Sequence, residues 1–466
     1  MRLDLIVPIL IVLGGAVATL VVGIFLPREK QTWNAAFAGA VIVLALAVTG
    51  VQLAYGYPQV AFDGSFAADW PALGTWLVLL LATLGTILLA VPVFKNDARE
   101  AEFYTLLLFG LLGAMLLVGA ADVMEIVLGA LMTSVAGYAL VAYRRADPLA
   151  LEAVLKYYLV GALANIALIL GLVYLYGLSG TTLLGEMAGL ETGNTVALAV
   201  ALTLVLVGLG FKGGWLPAHT WIPDVYQGTT VPVAAWLAML PKVAALLAAL
   251  RLLAALPAED LHWPLLVAGL AAVTMTWGNL AAFPQTDIRR LLGYSSISQA
   301  GFMLLAPAAW PAALAIPGLL YYFAAYAAAN LGAFAVLQAS GRHTIQGNAG
   351  LGRAQPWLGG AMAICLLSFM GLPPLAGFVA KFLLFSALLD TGLVWLLVIG
   401  LINTVLSLYY YLRVITPMFF ESPHQPFQPP DRWASGAAIT AAVLVILLGL
   451  GAFLLLEPAH TVELLP

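Results

Sequence analysis

Runs of about 20 or more apolar residues succeed one another along the chain, each separated from the next by a short polar stretch. That is the spacing of helices that each cross a hydrocarbon layer of ~30 Å. The runs predict about fourteen helical segments, at approximately 3–25, 33–54, 70–94, 102–119, 122–142, 151–176, 194–228, 230–256, 263–283, 291–309, 312–339, 356–389, 393–419 and 434–456. Alternating strand patterns are absent, so the expected fold class is an all-α integral membrane protein. The largest polar gaps, 177–193, 340–356 and 421–433, are too short to fold separately, and one membrane domain is expected over 1–466.

Composition agrees: 63% of the 466 residues are hydrophobic and 9% charged, against roughly 25% charged in soluble domains. The single cysteine, Cys365, excludes an intrachain disulfide and a multi-cysteine metal or iron–sulfur site. No cofactor, metal or nucleic-acid partner is expected of this chain. The first run has a signal peptide's position, but it is long and lacks a small-residue cleavage site before Pro27 and Arg28, so it reads as the first segment. The formal net charge of −4 matters less than where the charges sit.

Cytoplasmic loops of membrane proteins collect lysine and arginine. Odd-numbered connections carry Arg28, Lys30, Lys95, Arg99, Arg144, Arg145, Arg289, Arg290, Arg342, Arg353, Arg413 and Arg432, whereas even-numbered connections carry none. Both termini are therefore expected on the outer side. Arg2, Lys156 and Arg251 fall near segment ends, which leaves Lys212, Lys242 and Lys381 deep in apolar sequence.

A lysine at the bilayer centre costs roughly 2.5–3.5 kcal/mol on insertion scales and marks a functional site by default. Lys212 follows sixteen uncharged residues, Lys242 lies midway along segment eight, and Lys381 lies past the middle of segment twelve. Desolvation penalises an ammonium, so such a group can take up and release protons. The plainer reading is a lysine bonded to carbonyls freed by a kink. Lys212 precedes Gly213, Gly214 and Pro217, and Lys381 follows Gly371, Pro373, Pro374 and Gly377, so segments seven and twelve are expected to be broken. Segments four to eight (101–256) and nine to thirteen (263–419), five each, would run in opposite orientation as two inverted repeats, flanked by 1–94 and 434–456.

Other polar groups are weaker candidates. His219 beside the first break relays protons or bonds the opened backbone. Asp224 caps a helix or pairs with a cation, and Asp287 pairs with the neighbouring Arg289 and Arg290. Ser295, Ser296, Ser298 and Gln299 give segment ten a polar stripe that holds water or joins helices. Tryptophans and tyrosines at helix ends read as interfacial anchors.

FKGGWLPAHTWIPDVYQG at 211–228 closely resembles the antiporter-like N-subunit family of bacterial respiratory complex I, the proton-pumping NADH:quinone oxidoreductase. EFYTLLLFGLLGAMLL (102–117), EAVLKYYLVGAL (152–163), DIRRLLGYSSISQAGFML (287–304) and GLPPLAGFVAKF (371–382) resemble the family's corresponding helices, so the likeness covers roughly 100–420. Tyr226, Gln227 and Gly228 separate this family from its larger antiporter-like relatives, and no long lateral helix is expected. The resemblance implies that Lys212, Lys242 and Lys381 are the family's lysines of broken helix seven, helix eight and broken helix twelve, set along a hydrated polar axis. It also implies a glutamate opposing the first lysine. LGALMTS at 128–134 puts Leu131 in that place, and Glu125, six residues earlier and some 120° around the helix, is the candidate substitute, through water or a neighbouring subunit.

What the resemblance implies is a proton-translocating subunit in a bacterial cytoplasmic membrane, working beside other antiporter-like membrane subunits. NADH, FMN, iron–sulfur clusters and quinone would belong to partner subunits. A related cation/proton antiporter, membrane hydrogenase or inorganic-carbon transport complex is the alternative, and a noncatalytic membrane scaffold the third. A stand-alone solute carrier is least favoured, since no substrate-pocket chemistry is evident.

Overall fold

The computed structural model describes residues 2–27, 30–55, 59–95, 97–144, 147–187, 194–257, 262–423, 425–452 and 464. Arg28 and Arg145, two of the residues that orient the chain, and 453–456, the expected end of segment fourteen, lie outside them.

The main helices are α1 (Val7–Phe25), α2 (Trp33–Tyr55), α3 (Trp70–Phe94), α4 (Glu100–Gly119), α5 (Val123–Val141), α6 (Pro148–Ser179), α7 (Thr195–Gly213), α8 (Ile222–Gly228), α9 (Val231–Ala254), α10 (Trp263–Ala282), α11 (Ile288–Met303), α12 (Ala315–Ser340), α13 (Pro356–Met370), α14 (Ala376–Asp390), α15 (Val394–Phe420) and α16 (Arg432–Leu450). Among the described residues, 12 helices are long and apolar enough to cross a membrane. Segment seven divides into α7 and α8, segment twelve into α13 and α14, and segment ten is α11 at 16 residues.

Several starts are written in the sequence as side-chain caps. The carboxylates of Asp69, Asp122, Asp147, Asp287 and Asp431 accept amide hydrogens at the first turns of α3, α5, α6, α11 and α16, each such cap being worth ~1 kcal/mol. Helix α9 lies at the centre: its most apolar stretch is wholly buried, and it packs on α3, α4, α7 and α12. By contrast α6 exposes Leu155, Leu159, Leu163, Ile166 and Val173, an apolar face suited to lipid or another chain.

Two features depart from the sequence reading. A hairpin of β1 (Gln59–Ala61) and β2 (Phe66–Ala68) fills the connection before α3, its turn made by left-handed Phe62, Asp63 and Gly64. The α4–α5 connection meets it: Ala121 donates its amide to the Ser65 carbonyl at 2.9 Å, and Ala120 forms an antiparallel bridge with Phe66. And Trp76, Trp215, Trp221, Trp236 and Trp263 are fully buried; their rings fill the interior, and Trp76 and Trp215 donate indole hydrogens to backbone carbonyls there, so these are not interfacial anchors.

Helices approach closely where glycine leaves room. A Cβ on Gly129 of α5 would lie 2.7 Å from the Leu117 backbone nitrogen of α4, a clash the rigid backbone cannot relieve. Gly129→Val is expected to destabilise the protein by about 1–3 kcal/mol, whereas Gly14→Ala, with nothing within 4 Å, is expected to stay within about 0.5 kcal/mol; thermal unfolding of both purified variants in detergent checks the difference.

Candidate functional site

Both broken segments are built alike. Helix α7 ends at Gly214 and α13 at Gly371, each in the left-handed conformation (φ 81° and 83°) that ends a helix cheaply in glycine. Three residues on come Pro217 and Pro374, each after a cis peptide bond. The three sequence-predicted lysines lie at these breaks and between them, each no more than 3% exposed.

Lys212, in the last turn of α7, donates to the Ser134 hydroxyl of α5, which also accepts from Asn165 of α6 at 3.2 Å. Lys242 of α9 donates to both the carbonyl and the hydroxyl of Ser296 on α11. Lys381 of α14 donates to the carbonyls of Phe369 (3.0 Å) and Met370 (3.2 Å), which the end of α13 leaves free, and its ammonium lies 4.2 Å over the Phe302 ring. Among the described ion pairs none involves these lysines. Their partners are neutral oxygens.

The polar stripe of α11 joins two of them. The Ser296 hydroxyl that meets Lys242 also accepts from Tyr326 at 3.0 Å and lies 3.2 Å from the Tyr226 hydroxyl. One turn on, Gln299 donates to the Phe369 carbonyl at 3.2 Å, the same oxygen that Lys381 uses. Tyr322 donates to Gln299, and Ser295 pairs with Tyr411. The first break lies beside Lys242: a Cβ on Gly214, two residues after Lys212, would lie 3.5 Å from the Lys242 ammonium nitrogen. Sequence reading named the serines and Gln299, and Tyr226 only as a mark of the family, but missed Tyr322, Tyr326 and Tyr411, whose spacing in apolar helices does not distinguish them from packing residues.

The remaining candidates fall elsewhere. His219, 9% exposed, leaves Nδ1 without a described partner and meets the edge of Trp277 at 6.3 Å between ring centres. Glu125 sits in the first turn of α5, where its carboxylate accepts from Ser65 at 3.3 Å, against the hairpin. Leu131 lies on the exposed face of α5, and Ser134 three residues later is the α5 residue that meets Lys212. Asp224 pairs with Lys156 at 2.8 Å and with Arg290. Asp287 pairs with Arg289 at 3.0 Å; Arg290 turns to Asp224 and Gln227 instead. Chemically, the centre groups amines, hydroxyls and an amide, and no described ion pair ties the amines to a carboxylate.

Residues 120–407 match the family described as NADH:quinone oxidoreductase/Mrp antiporter, TM. The chain is 42% identical over 456 residues to NADH-quinone oxidoreductase subunit N 1 of Streptomyces griseus, covering 97% of this chain and 96% of that one. It is 40% identical to NADH-quinone oxidoreductase subunit N of a Mycobacterium species, covering 94% of each. Among solved structures, a chain of respiratory complex I from Thermus thermophilus with bound aureothin superposes with a TM-score of 0.84 at 36% identity, over 97% of this chain and 98% of that one. A chain of the Mrp complex from Dietzia, at 22% identity and a TM-score of 0.86, shares the fold.

Ser134→Ala removes an acceptor from the buried Lys212 ammonium and is expected to cost about 1–3 kcal/mol. Thr203→Ala, which removes an exposed hydroxyl bonded within its own helix, is expected to change stability by less than about 0.5 kcal/mol; chemical denaturation in detergent measures both.

Proposed function

The chain belongs to the NADH:quinone oxidoreductase/Mrp antiporter transmembrane family, and we propose on that premise how it works. It is the N-type membrane subunit of an NADH-quinone oxidoreductase and translocates protons. Its protons travel between Lys212, Lys242 and Lys381, with His219 as a side relay at the first break and Glu125 near the outer end of α5. The observation that carries this reading is the pair of polar contacts one turn apart on α11: Ser296 accepts from Lys242, and Gln299 donates to the Phe369 carbonyl that Lys381 also uses.

The chemistry follows from charge in a medium of low dielectric. Two like charges a few ångströms apart repel far more strongly there than in water, so a proton on one lysine disfavours a proton on the next. Ser296 and its tyrosines can accept from one lysine and reorient toward the next donor, as hydroxyls do. The left-handed Gly214 ends α7 beside the Lys242 ammonium, and a Cβ there would lie 2.9 Å from Ile222 Cδ1. Such a file moves protons only when something changes the charge at one end, so the energy comes from redox chemistry in partner subunits, which hold NADH, FMN, iron–sulfur clusters and quinone; this chain holds none of them.

The matching forms of the two breaks, a left-handed glycine with proline three residues on, support two inverted repeats over 101–256 and 263–419 within fourteen crossings, flanked by 1–94 and 434–456. The confinement of basic residues to alternate connections supports a bacterial cytoplasmic membrane with both termini outside. Neighbouring antiporter-like subunits occupy the lateral faces and lipid the rest.

The test is Lys242→Ala in the native host, with the intact complex purified, reconstituted in liposomes, and followed for proton uptake together with electron transfer from NADH to quinone. Both activities are expected to fall while assembly survives. Unchanged pumping would remove Lys242 from the path, and absence of NADH oxidation in the unaltered complex would assign the chain to a relative with another energy source.

A further inference from the structure

One pair of charges is buried as deeply as the lysines and takes no part in the proposed file. Arg251, in the last turn of α9, presents its guanidinium to Asp69, the cap of α3, through two parallel contacts: Nη2 donates to Oδ1 at 2.9 Å and Nη1 lies 2.9 Å from Oδ2. Both side chains are 0% exposed. Asp69 also accepts the Ala72 amide at 2.9 Å. Each charge sits at the helix end whose dipole favours it, the carboxylate at a start and the guanidinium at a finish.

A buried ion pair is weak evidence for stability, because desolvation offsets most of the attraction, but a two-point guanidinium–carboxylate fork fixes direction as well as distance. The direction matters on this helix. Arg251 and Lys242 are nine residues apart, about 13.5 Å along the axis and about half a turn around it. Pro241, directly before Lys242, removes a backbone hydrogen bond in the middle of α9, which leaves the inner and outer halves of the helix mechanically separable. The outer half begins at Lys242 and ends at Ala254, with Arg251 in its last turn.

We propose that the Asp69–Arg251 fork is a positioning device for proton transfer: it pins the rotation of the outer half of α9 to α3, and thereby keeps the Lys242 ammonium turned between the Gly214 break and Ser296. Asp69 and Arg251 are positioning residues; they touch no proton in transit. The inference rests on the lysine reading above.

Arg251→Lys tests it. The variant keeps the buried charge but loses the planar two-point fork, so assembly is expected to survive while the number of protons moved per electron pair falls about twofold and the pH profile of pumping shifts. The double variant Asp69→Leu/Arg251→Met removes both charges and restores apolar packing; it is expected to recover any assembly lost by Asp69→Leu alone, yet to pump no better than Arg251→Lys. Lys242→Ala is measured in parallel in the same intact complex. If Lys242→Ala fails to pump and Arg251→Lys pumps with the unaltered ratio and pH profile, the fork is only a staple and the proposal falls. If Arg251→Lys does not assemble, the double variant decides: a normal ratio overturns the proposal and a lowered one supports it. If Lys242→Ala itself pumps normally, the lysine reading fails first and the positioning role falls with it.

Discussion

An ammonium group in hydrocarbon must find oxygen, and the interior of this protein is arranged around three that do so without a carboxylate. Lys381 is met by two carbonyls that exist only because α13 stops at Gly371. Lys212 and Lys242 are met by serines on neighbouring helices. A continuous helix would have spent the carbonyls of Phe369 and Met370 on its own next turn. The break, the glycine that ends it and the lysine that follows are thus one device. Close glycine packing then brings the flanking helices near enough for short serine and tyrosine side chains to reach across.

Much of this was legible in the sequence because membrane burial makes charge conspicuous. Lys212 stands out against sixteen uncharged residues and Lys381 against its cluster of glycine and proline, so both breaks and all three lysines could be named by residue. The polar stripe of α11 was visible for the same reason. What remained hidden depends on which faces meet. Ser134 is an ordinary helix serine until α5 and α7 come together, and Tyr326 resembles any other aromatic in an apolar run. Arg251 read as a residue near a segment end and Asp69 was not singled out; they are 182 residues apart, and nothing in local sequence links them. The hairpin was missed because its strands are three residues long, too short for alternation to register.

The resemblance carried by 211–228 led to a glutamate position filled by Leu131, and the structure gives that substitution a physical context. Leu131 faces outward from α5 and Ser134 inward, so the side of the helix that meets Lys212 offers a hydroxyl. Glu125 stands nine residues before Ser134 and bonds the hairpin through Ser65. A carboxylate opposite Lys212 would favour its charged form; a hydroxyl does so far less.

This difference separates the three central lysines from four other cations. Lys156 and Arg290 share Asp224 at one end of the α8 region, Arg289 holds Asp287, and Arg251 holds Asp69. Each of these cations is tied to a carboxylate, and each joins or caps helices. The three central lysines are tied to neutral groups. An amine paired with a carboxylate gains from staying charged, and moving its proton strands a buried anion; an amine among hydroxyls and carbonyls can be charged or neutral with its hydrogen bonds largely kept. On the proposed path, the same residue chemistry serves two ends in one chain, rigid joints where a carboxylate is supplied and transferable charge where it is withheld. That proposal depends on the withholding as much as on the lysines, since a carboxylate placed beside Ser296 or Gln299 would tie the amine as Asp224 ties Lys156.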